Sequence, residues 1–245
     1  MELPFSLHTH DHKKIQGTVR PAAQKSDTAI IFVHGLTGHS SEHLFFNAAR
    51  YFPAKGMDAI RFDLYPGGLE GRLLPECTIT THVGDLNLVL EHFRPKYKKI
   101  YLVGHSLGAV TVLSAKVQLC DAICLWAPAS SEILFDARLP IIQLLKGTEL
   151  YKTCWAVESV IGKEMANQML KFPKSPEAAK FLTRPTFIGC GDQDVFVEAS
   201  RSYLKHCPSE PKELVLIKDG GHQFNEGDSA LELYEATWKF ISKLG

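Results

Sequence analysis

Short runs of apolar and β-branched residues alternate along the chain with longer stretches of helical period. The runs are nearly continuous in apolar residues, which is typical of strands covered on both faces. They lie at 28–35, 57–63, 99–105, 121–128, 185–191 and 212–219. Two of the helical stretches have apolar faces formed by Val83, Leu86, Leu90 and Phe93 and by Leu231, Tyr234, Trp238 and Ile241. This alternation predicts an α/β fold with a mostly parallel central sheet flanked by helices.

Two segments depart from the alternation. The histidine-rich opening, with a turn before residue 14, predicts an antiparallel hairpin at the N-terminal edge of the sheet. Residues 130–182 show no clear strand and are far longer than a usual connection of roughly 2–6 residues. Helical patterns occur at 139–147 and 163–172. The apolar side chains of the segment include Ile141, Leu144, Leu145, Trp155, Met165 and Met169, and all of these but Trp155 lie in the two patterns. We therefore expect a core of residues 1–129 and 183–245, with a small helical lid inserted at 130–182.

The overall charge is balanced, because 27 basic residues face 27 acidic ones in a chain of 245 residues. Without a basic or acidic run, the chain lacks the electrostatic pattern of a partner for nucleic acid or an anionic membrane. The first 14 residues lack the features of a secretory signal, and no apolar run reaches the roughly 18 residues that span a bilayer. We expect a single-domain cytoplasmic protein that binds a small molecule, and the sequence leaves monomer and homodimer both open.

Six cysteines are dispersed along the chain and form no CxxC pair. A domain of this length has a core large enough to fold without disulfides. We therefore expect free thiols, with Cys124 and Cys190 packed as small apolar residues on strands.

The stretch "LVGHSLGAV" contains the clearest chemical motif of the chain. Gly104, Ser106 and Gly108 form a G-x-S-x-G pattern between a predicted strand and a predicted helix, which is the context of a nucleophile elbow. The serine of such an elbow lies on a strained turn, where side chains at the two glycine positions would meet neighbouring backbone. Ser106 is therefore predicted to be a nucleophile.

A serine hydroxyl needs a base that a third group orients. Of the 11 histidines, His222 lies in "DGGHQF" between the last predicted strand and the last helix, at the sheet edge where Ser106 is expected. The other candidates fit structural roles better. His105 belongs to the elbow, His8, His10 and His12 lie on an exposed edge, and His82, His92 and His206 are expected to be surface or hydrogen-bonded histidines.

The motifs "IIFVHGLTG", "GHSLG", "GCGDQDVFV" and "GGHQF" together resemble the α/β-hydrolase family over almost the whole chain. The resemblance implies a triad in the order serine, acid, histidine. The family's acid lies in a G-x-x-D-x-x-V pattern, which Gly191, Asp194 and Val197 match, so the resemblance indicates Asp194. Asp192 is the alternative acid, and its other expected role is to shape the loop.

The stretch "VHGLTGHSSEH" is similar to the family's oxyanion loop. This similarity implies that the backbone N–H groups of Leu36 and Leu107 form the oxyanion hole, with His34 holding the loop. One departure follows the strand that ends in "RFD", where "LYPGGLEGR" replaces the G-x-G stretch of many relatives. A second is the absence of a doubled glycine after "GHSL".

A serine nucleophile excludes relatives that form an alkyl-enzyme on aspartate, and it predicts acyl transfer to water without a metal or organic cofactor. "HGLTGHSSEH" most resembles esterases that act on small carboxylic esters, including hydroxycinnamate esters. We expect a carboxylesterase for short or medium acyl groups or aromatic acids. The alternatives are a peptidase, a thioesterase or a carbon–carbon hydrolase with the same triad, or a non-catalytic binding protein.

Overall fold

The computed structural model describes residues 1–136, 138–139, 141–154 and 158–244. Within these residues the strands are β1 (Leu3–His8), β2 (Lys14–Arg20), β3 (Thr28–Val33), β4 (Asp58–Asp63), β5 (Lys99–His105), β6 (Ala122–Trp126), β7 (Ile142–Leu144), β8 (Leu150–Thr153), β9 (Ser159–Gly162), β10 (Thr186–Gly191) and β11 (Lys212–Ile217). The α-helices are α1 (His43–Tyr51), α2 (Ile79–Phe93), α3 (Leu107–Leu113), α4 (Ser131–Leu134), α5 (Lys163–Lys171), α6 (Ser175–Ala178), α7 (Val197–His206) and α8 (Ser229–Ile241).

Eight strands form one sheet in the order β1-β2-β4-β3-β5-β6-β10-β11. Strands β1 and β2 form an antiparallel hairpin at one edge, β2 also pairs antiparallel with β4, and the remaining pairs are parallel. All six predicted strands are present, and the predicted fold class is confirmed. Because β3, β5, β10 and β11 are parallel, the loops that follow them meet at the same edge of the sheet.

Helices cover both faces of this sheet, which explains why its strands are apolar on both sides. On one face, α2, α3 and α7 pack against a cluster that includes Ile31, Leu102 and Ile123. On the other face, α1 and α8 pack against a cluster that includes Phe32 and Trp126. The apolar face predicted for α8 is wrong at Leu231, whose exposed fraction is 44%. Leu233 is buried instead, so the face of α8 that contacts the sheet includes Leu233 and not Leu231.

The segment 130–182 differs from the helical prediction. Helix α5 is confirmed, but residues 139–147, predicted as helix, contain strand β7. This strand pairs with β8, and β8 pairs with β9, in a small antiparallel sheet of three strands. Gly147, with φ of 81°, lies in the turn between β7 and β8 and favours the hairpin. Strand pairing therefore overrides a spacing of apolar residues that also fits a helix. Trp155 lies outside the described residues.

All six cysteines are free, as predicted, and Cys124 and Cys190 are fully buried in their strands. Among the described residues, the structure contains no helix long and apolar enough to cross a membrane.

Candidate active site

Ser106 lies in the turn between the end of β5 and the start of α3, with φ of 54°, a conformation that is strained for a residue with a side chain. The flanking glycines allow this turn. A Cβ atom at Gly104 would lie 2.6 Å from the carbonyl oxygen of Gly108, and a Cβ atom at Gly108 would collide with the carbonyl oxygen of Val33. The local structure is therefore that of the predicted elbow.

Ser106, His222 and Asp194 form a continuous hydrogen-bonded line. Ser106 Oγ lies 2.9 Å from Nε2 of His222, and Nδ1 of His222 lies 2.8 Å from Oδ2 of Asp194. Because the carboxylate can only accept, Nδ1–H donates to Asp194 and Nε2 is left to accept the serine proton. The arrangement has the tautomer that a general base for Ser106 requires.

The two aspartates of "GCGDQDVFV" lie in different surroundings. Asp194 is buried, and its Oδ1 accepts a 3.1 Å hydrogen bond from the N–H of Phe196. Asp192 is exposed, and its carboxylate accepts a 3.1 Å hydrogen bond from Nε2 of Gln193. The structure thus brings Asp194 to His222 and leaves the carboxylate of Asp192 in solvent.

The loop that carries His222 is held by two further contacts. The N–H of Gly221 donates to Oε2 of Glu226 at 2.9 Å, and Nε2–H of His105 donates to the carbonyl oxygen of His222 at 2.9 Å. Burial lowers the pKa of His105 to about 3, so this ring stays neutral. The sequence placed His105 in the elbow and assigned it no contact. Its contact with the His222 loop could not be inferred from the elbow motif.

The two leucines whose N–H groups are the predicted oxyanion donors, Leu36 and Leu107, line the same cavity as Ser106. The N–H groups of Leu36 and Leu107 have no hydrogen-bond partner in the part of the chain that the structure describes. The two loops are in close contact, because a Cβ atom at Gly35 would lie 3.0 Å from Cβ of Ser106. The two amides are therefore available to a ligand atom bonded to Ser106.

A cavity of about 260 Å³ opens over Ser106 and His222. Its apolar wall combines residues of both predicted oxyanion positions, of the 130–182 segment and of the loop after β10: Leu36, Leu107, Leu134, Ile141, Met169 and Phe196. Its polar side includes Glu42, His43, Gln223 and Asn225. The volume and the apolar wall suit a small organic ligand.

Glu42 is a site residue that the sequence did not indicate. It lines the cavity directly before α1, and its Oε1 is buried without a hydrogen-bond partner among the described residues. Burial raises the pKa of Glu42 to about 7, and the neighbouring charge of Asp63 acts in the same direction. No motif singles out this glutamate, because its pKa depends on how the oxyanion loop folds over it.

His8, His10, His12 and His82 are not among the residues that line the cavity over Ser106. His8, His10 and His12 are exposed along the N-terminal hairpin. His82, expected to be exposed or hydrogen-bonded, is neither: it is buried, and no partner for either ring nitrogen lies within the described ranges. Burial lowers its pKa to about 3. The prediction for His82 failed because the side of α2 that carries the polar residues His82 and Asp85 is buried.

The sequence matches the model of the "Alpha/beta hydrolase family" over residues 30–236. Est1E from Butyrivibrio proteoclasticus, solved with ferulic acid bound, is similar in structure with a TM-score of 0.78 at 19% identity, covering 97% of this chain and 99% of that one. The esterase domain of a Rhodothermus marinus protein has a TM-score of 0.77 at 15% identity over 100% of both chains. A Pyrococcus furiosus esterase has a TM-score of 0.72 at 16% identity, covering 100% of this chain and 93% of that one. No curated protein sequence matches the chain.

Proposed function

Since the chain belongs to the alpha/beta hydrolase family, we propose that it is a serine hydrolase that cleaves small carboxylic esters through an acyl-enzyme on Ser106. The observation that carries this proposal is the hydrogen-bonded line from Ser106 Oγ through His222 to Asp194, with distances of 2.9 and 2.8 Å. Such a line supplies what a serine lacks by itself, a base whose orientation and charge a third group controls.

In the proposed reaction, Ser106 Oγ attacks the ester carbonyl carbon while Nε2 of His222 takes the hydroxyl proton. Asp194 stabilises the resulting imidazolium and keeps Nδ1 protonated. The imidazolium then gives its proton to the leaving alkoxide as the C–O bond breaks, which leaves the acyl group on Ser106. His222 next takes a proton from water, the hydroxide attacks the acyl carbon, and the serine oxygen departs with the proton from His222.

Both tetrahedral intermediates carry a negative oxygen, which we assign to the N–H groups of Leu36 and Leu107. The absence of other partners for these two amides within the described residues supports the assignment. Removing one such donor from an active site costs roughly 10²- to 10³-fold in rate. The two leucine side chains also line the cavity and would exclude water from the oxyanion.

The cavity supports a short or medium acyl group or an aromatic acid as the acyl part of the substrate. Its volume of about 260 Å³ fits a small molecule, and Leu134, Ile141 and Met169 of the inserted segment form part of its apolar wall. The ferulic acid bound to the Butyrivibrio protein supports an aromatic acid as one member of this class. Residues 130–182 act in this proposal as a lid that covers the acyl group.

A panel of p-nitrophenyl esters from acetate to decanoate, with methyl esters of hydroxycinnamic acids, tests the function. We expect hydrolysis by the wild-type protein, and a loss of about 10⁴-fold or more in Ser106→Ala. The same acyl group presented as an oxygen ester, a thioester and an anilide identifies the preferred bond, and the oxygen ester should have the highest kcat/KM. Hydrolysis that is absent, or that survives in Ser106→Ala, rules the proposal out.

A further inference from the structure

The carbonyl oxygen of Gly35 accepts an unusual number of hydrogen bonds. The Tyr65 hydroxyl donates to it at 3.0 Å, Nδ1 of His34 lies 2.9 Å from it, and the N–H of Gly38 reaches it at 3.3 Å. Two of these donors are side chains that come from outside the turn formed by residues 35–38. These three contacts fix the orientation of the peptide group that contains the Gly35 carbonyl.

The proton on His34 follows from its second contact. The N–H of Leu64 donates to Nε2 of His34 at 3.0 Å, so Nε2 is the acceptor and the proton lies on Nδ1. Burial lowers the pKa of His34, which keeps the ring neutral in this tautomer. Leu64 and Tyr65, consecutive residues after β4, thus act together: one sets the His34 tautomer and the other donates directly to Gly35.

The peptide bond between Gly35 and Leu36 is the one whose N–H we assign to the oxyanion hole. In a trans peptide the C=O and N–H groups point in opposite directions. Holding the Gly35 carbonyl oxygen toward Tyr65 and His34 therefore directs the Leu36 N–H away from them. A carbonyl that accepts hydrogen bonds also makes the N–H of the same peptide group a stronger donor, because the two polarise each other.

We infer that Tyr65 is a positioning residue, whose hydroxyl fixes the Gly35–Leu36 peptide so that the Leu36 N–H is aimed at the oxyanion formed on Ser106. The inference rests on the proposed function, because it assigns a task to a residue that does not contact the reacting atoms. It also gives a role to "LYPGGLEGR", the segment that departs from the pattern of many relatives.

The surroundings of Tyr65 suit a permanent donor. Burial raises the pKa of Tyr65 well above its usual value, so the hydroxyl keeps its proton. The ring is held independently of the hydroxyl, because it packs edge-on against His34 at 4.9 Å and stacks on His82 at 5.9 Å between ring centroids. Tyr65→Phe can therefore remove the hydrogen bond while the ring packing remains.

The first test compares Tyr65→Phe with Tyr234→Phe. Tyr234 is a matched control, because its buried hydroxyl donates to the backbone carbonyl of Leu44 at 2.6 Å and neither residue lines the cavity. We expect Tyr65→Phe to lower kcat by about 10-fold with little change in KM, less than the roughly 10²-fold loss of a direct donor, since His34 and Gly38 still hold the carbonyl. An alkyl boronic acid forms an adduct with Ser106 in which a tetrahedral, negatively charged boronate imitates the intermediate, and affinity for it should fall in proportion. Tyr234→Phe should lower the melting temperature and leave both quantities unchanged.

The second test removes the Leu36 N–H. Leu36→Pro deletes this donor, and proline suits the second position of a turn whose next residue, Thr37, has φ of 62°. If Tyr65 acts through this N–H, Tyr65→Phe has no further effect on kcat in the Leu36→Pro background. If Tyr65 affects kcat by a route that does not involve this N–H, the two losses multiply, and the inference is overturned.

The rate at which a fluorophosphonate labels Ser106 separates this inference from the ester proposal, because labelling uses the nucleophile and the oxyanion hole but no ester. Labelling about 10-fold slower in Tyr65→Phe supports the inference even where no ester is hydrolysed. Labelling and ester hydrolysis both within twofold of wild type in Tyr65→Phe overturn it and leave the ester function standing. A wild-type protein that the probe does not label overturns both.

Discussion

Asp194 and His222 are 28 residues apart in the chain, yet Oδ2 of one lies 2.8 Å from Nδ1 of the other. The two loops that carry them follow β10 and β11, whose parallel register pairs Gly191 with Ile217. The loops touch at Gly191, where a Cβ atom would collide with the carbonyl oxygen of Gly220. The hydrogen bond is therefore set by sheet register and by a glycine that lets the two loops meet.

Asparagine substitutions of the two aspartates have different expected outcomes. Asp194→Asn removes the charge that stabilises the His222 imidazolium and permits the wrong tautomer, so kcat should fall by roughly 10³- to 10⁴-fold. Asp192→Asn changes only an exposed carboxylate and should stay within about twofold of wild type. The measurement is steady-state hydrolysis of the best ester, with circular dichroism as the folding control. The reverse pattern, inactive Asp192→Asn and active Asp194→Asn, would assign the acid to Asp192.

Two glycine-to-alanine substitutions should change stability in opposite directions. In Gly108→Ala the new methyl group meets the carbonyl oxygens of Val33 and His34, which should cost roughly 1–3 kcal/mol and displace the elbow. Gly84 lies exposed in the middle of α2 with no atom within 4 Å of an added Cβ, so Gly84→Ala should gain about 0.5–1 kcal/mol. Urea unfolding measures both. A stable, fully active Gly108→Ala would show that the elbow does not pack against β3 as described.

The raised pKa of Glu42 predicts that this residue contributes to stability in a pH-dependent way. Its pKa is raised from 4.5 to about 7, so the folded protein holds the proton more tightly than the unfolded chain does. The contribution is complete below pH 4.5 and is lost as the pH rises through 7. Glu42→Gln imitates the protonated acid, so its stability relative to wild type should rise between pH 5 and pH 9, by on the order of 2 kcal/mol.

Urea unfolding at the two pH values measures this difference. Glu235→Gln, which changes an exposed glutamate of α8, is the control and should show no comparable rise. A difference between Glu42→Gln and wild type that stays constant from pH 5 to pH 9 would mean that the Glu42 carboxyl is not desolvated.

The lowered pKa of His82 predicts the opposite dependence of stability on pH. Its pKa is lowered from 6.5 to about 3, so its contribution to stability is present above pH 6.5 and is lost progressively as the pH falls toward 3. His82→Phe removes two buried nitrogens that have no partner among the described residues and keeps the stack on Tyr65. We expect a gain of about 1–3 kcal/mol, larger at pH 5 than at pH 8.

Thermal unfolding at both pH values checks the His82 prediction, with the exposed His206→Phe as a control. Equal or lower stability of His82→Phe at both values would indicate that the His82 ring nitrogens are satisfied in solution.

The parallel core was predictable because burial on both faces leaves a continuous apolar signal in strands such as 99–105. The positions of Ser106 and His222 followed from loops at the carboxyl edge of that sheet. The separation of Asp194 from Asp192 depended on the family's spacing, since both carboxylates lie in the same loop.

The rest could not be predicted because it depends on tertiary contacts. Residues 139–147 have an apolar spacing that fits a helix, and only pairing with β8 decides for a strand. The raised pKa of Glu42 and the burial of the His82 ring nitrogens, which have no partner among the described residues, arise from tertiary packing. The bond from Tyr65 to Gly35 joins residues 30 positions apart, and no local pattern indicates it.

Rapid-quench mass spectrometry of the protein mixed with p-nitrophenyl butyrate tests the central claim most directly. An acyl-enzyme on Ser106 predicts that the peptide containing Ser106 gains one butyryl group during turnover, and that Ser106→Ala gains none and releases no p-nitrophenol above background. Turnover of the ester by wild type with Ser106 unmodified, or butyryl transfer that persists in Ser106→Ala, would contradict the proposed mechanism.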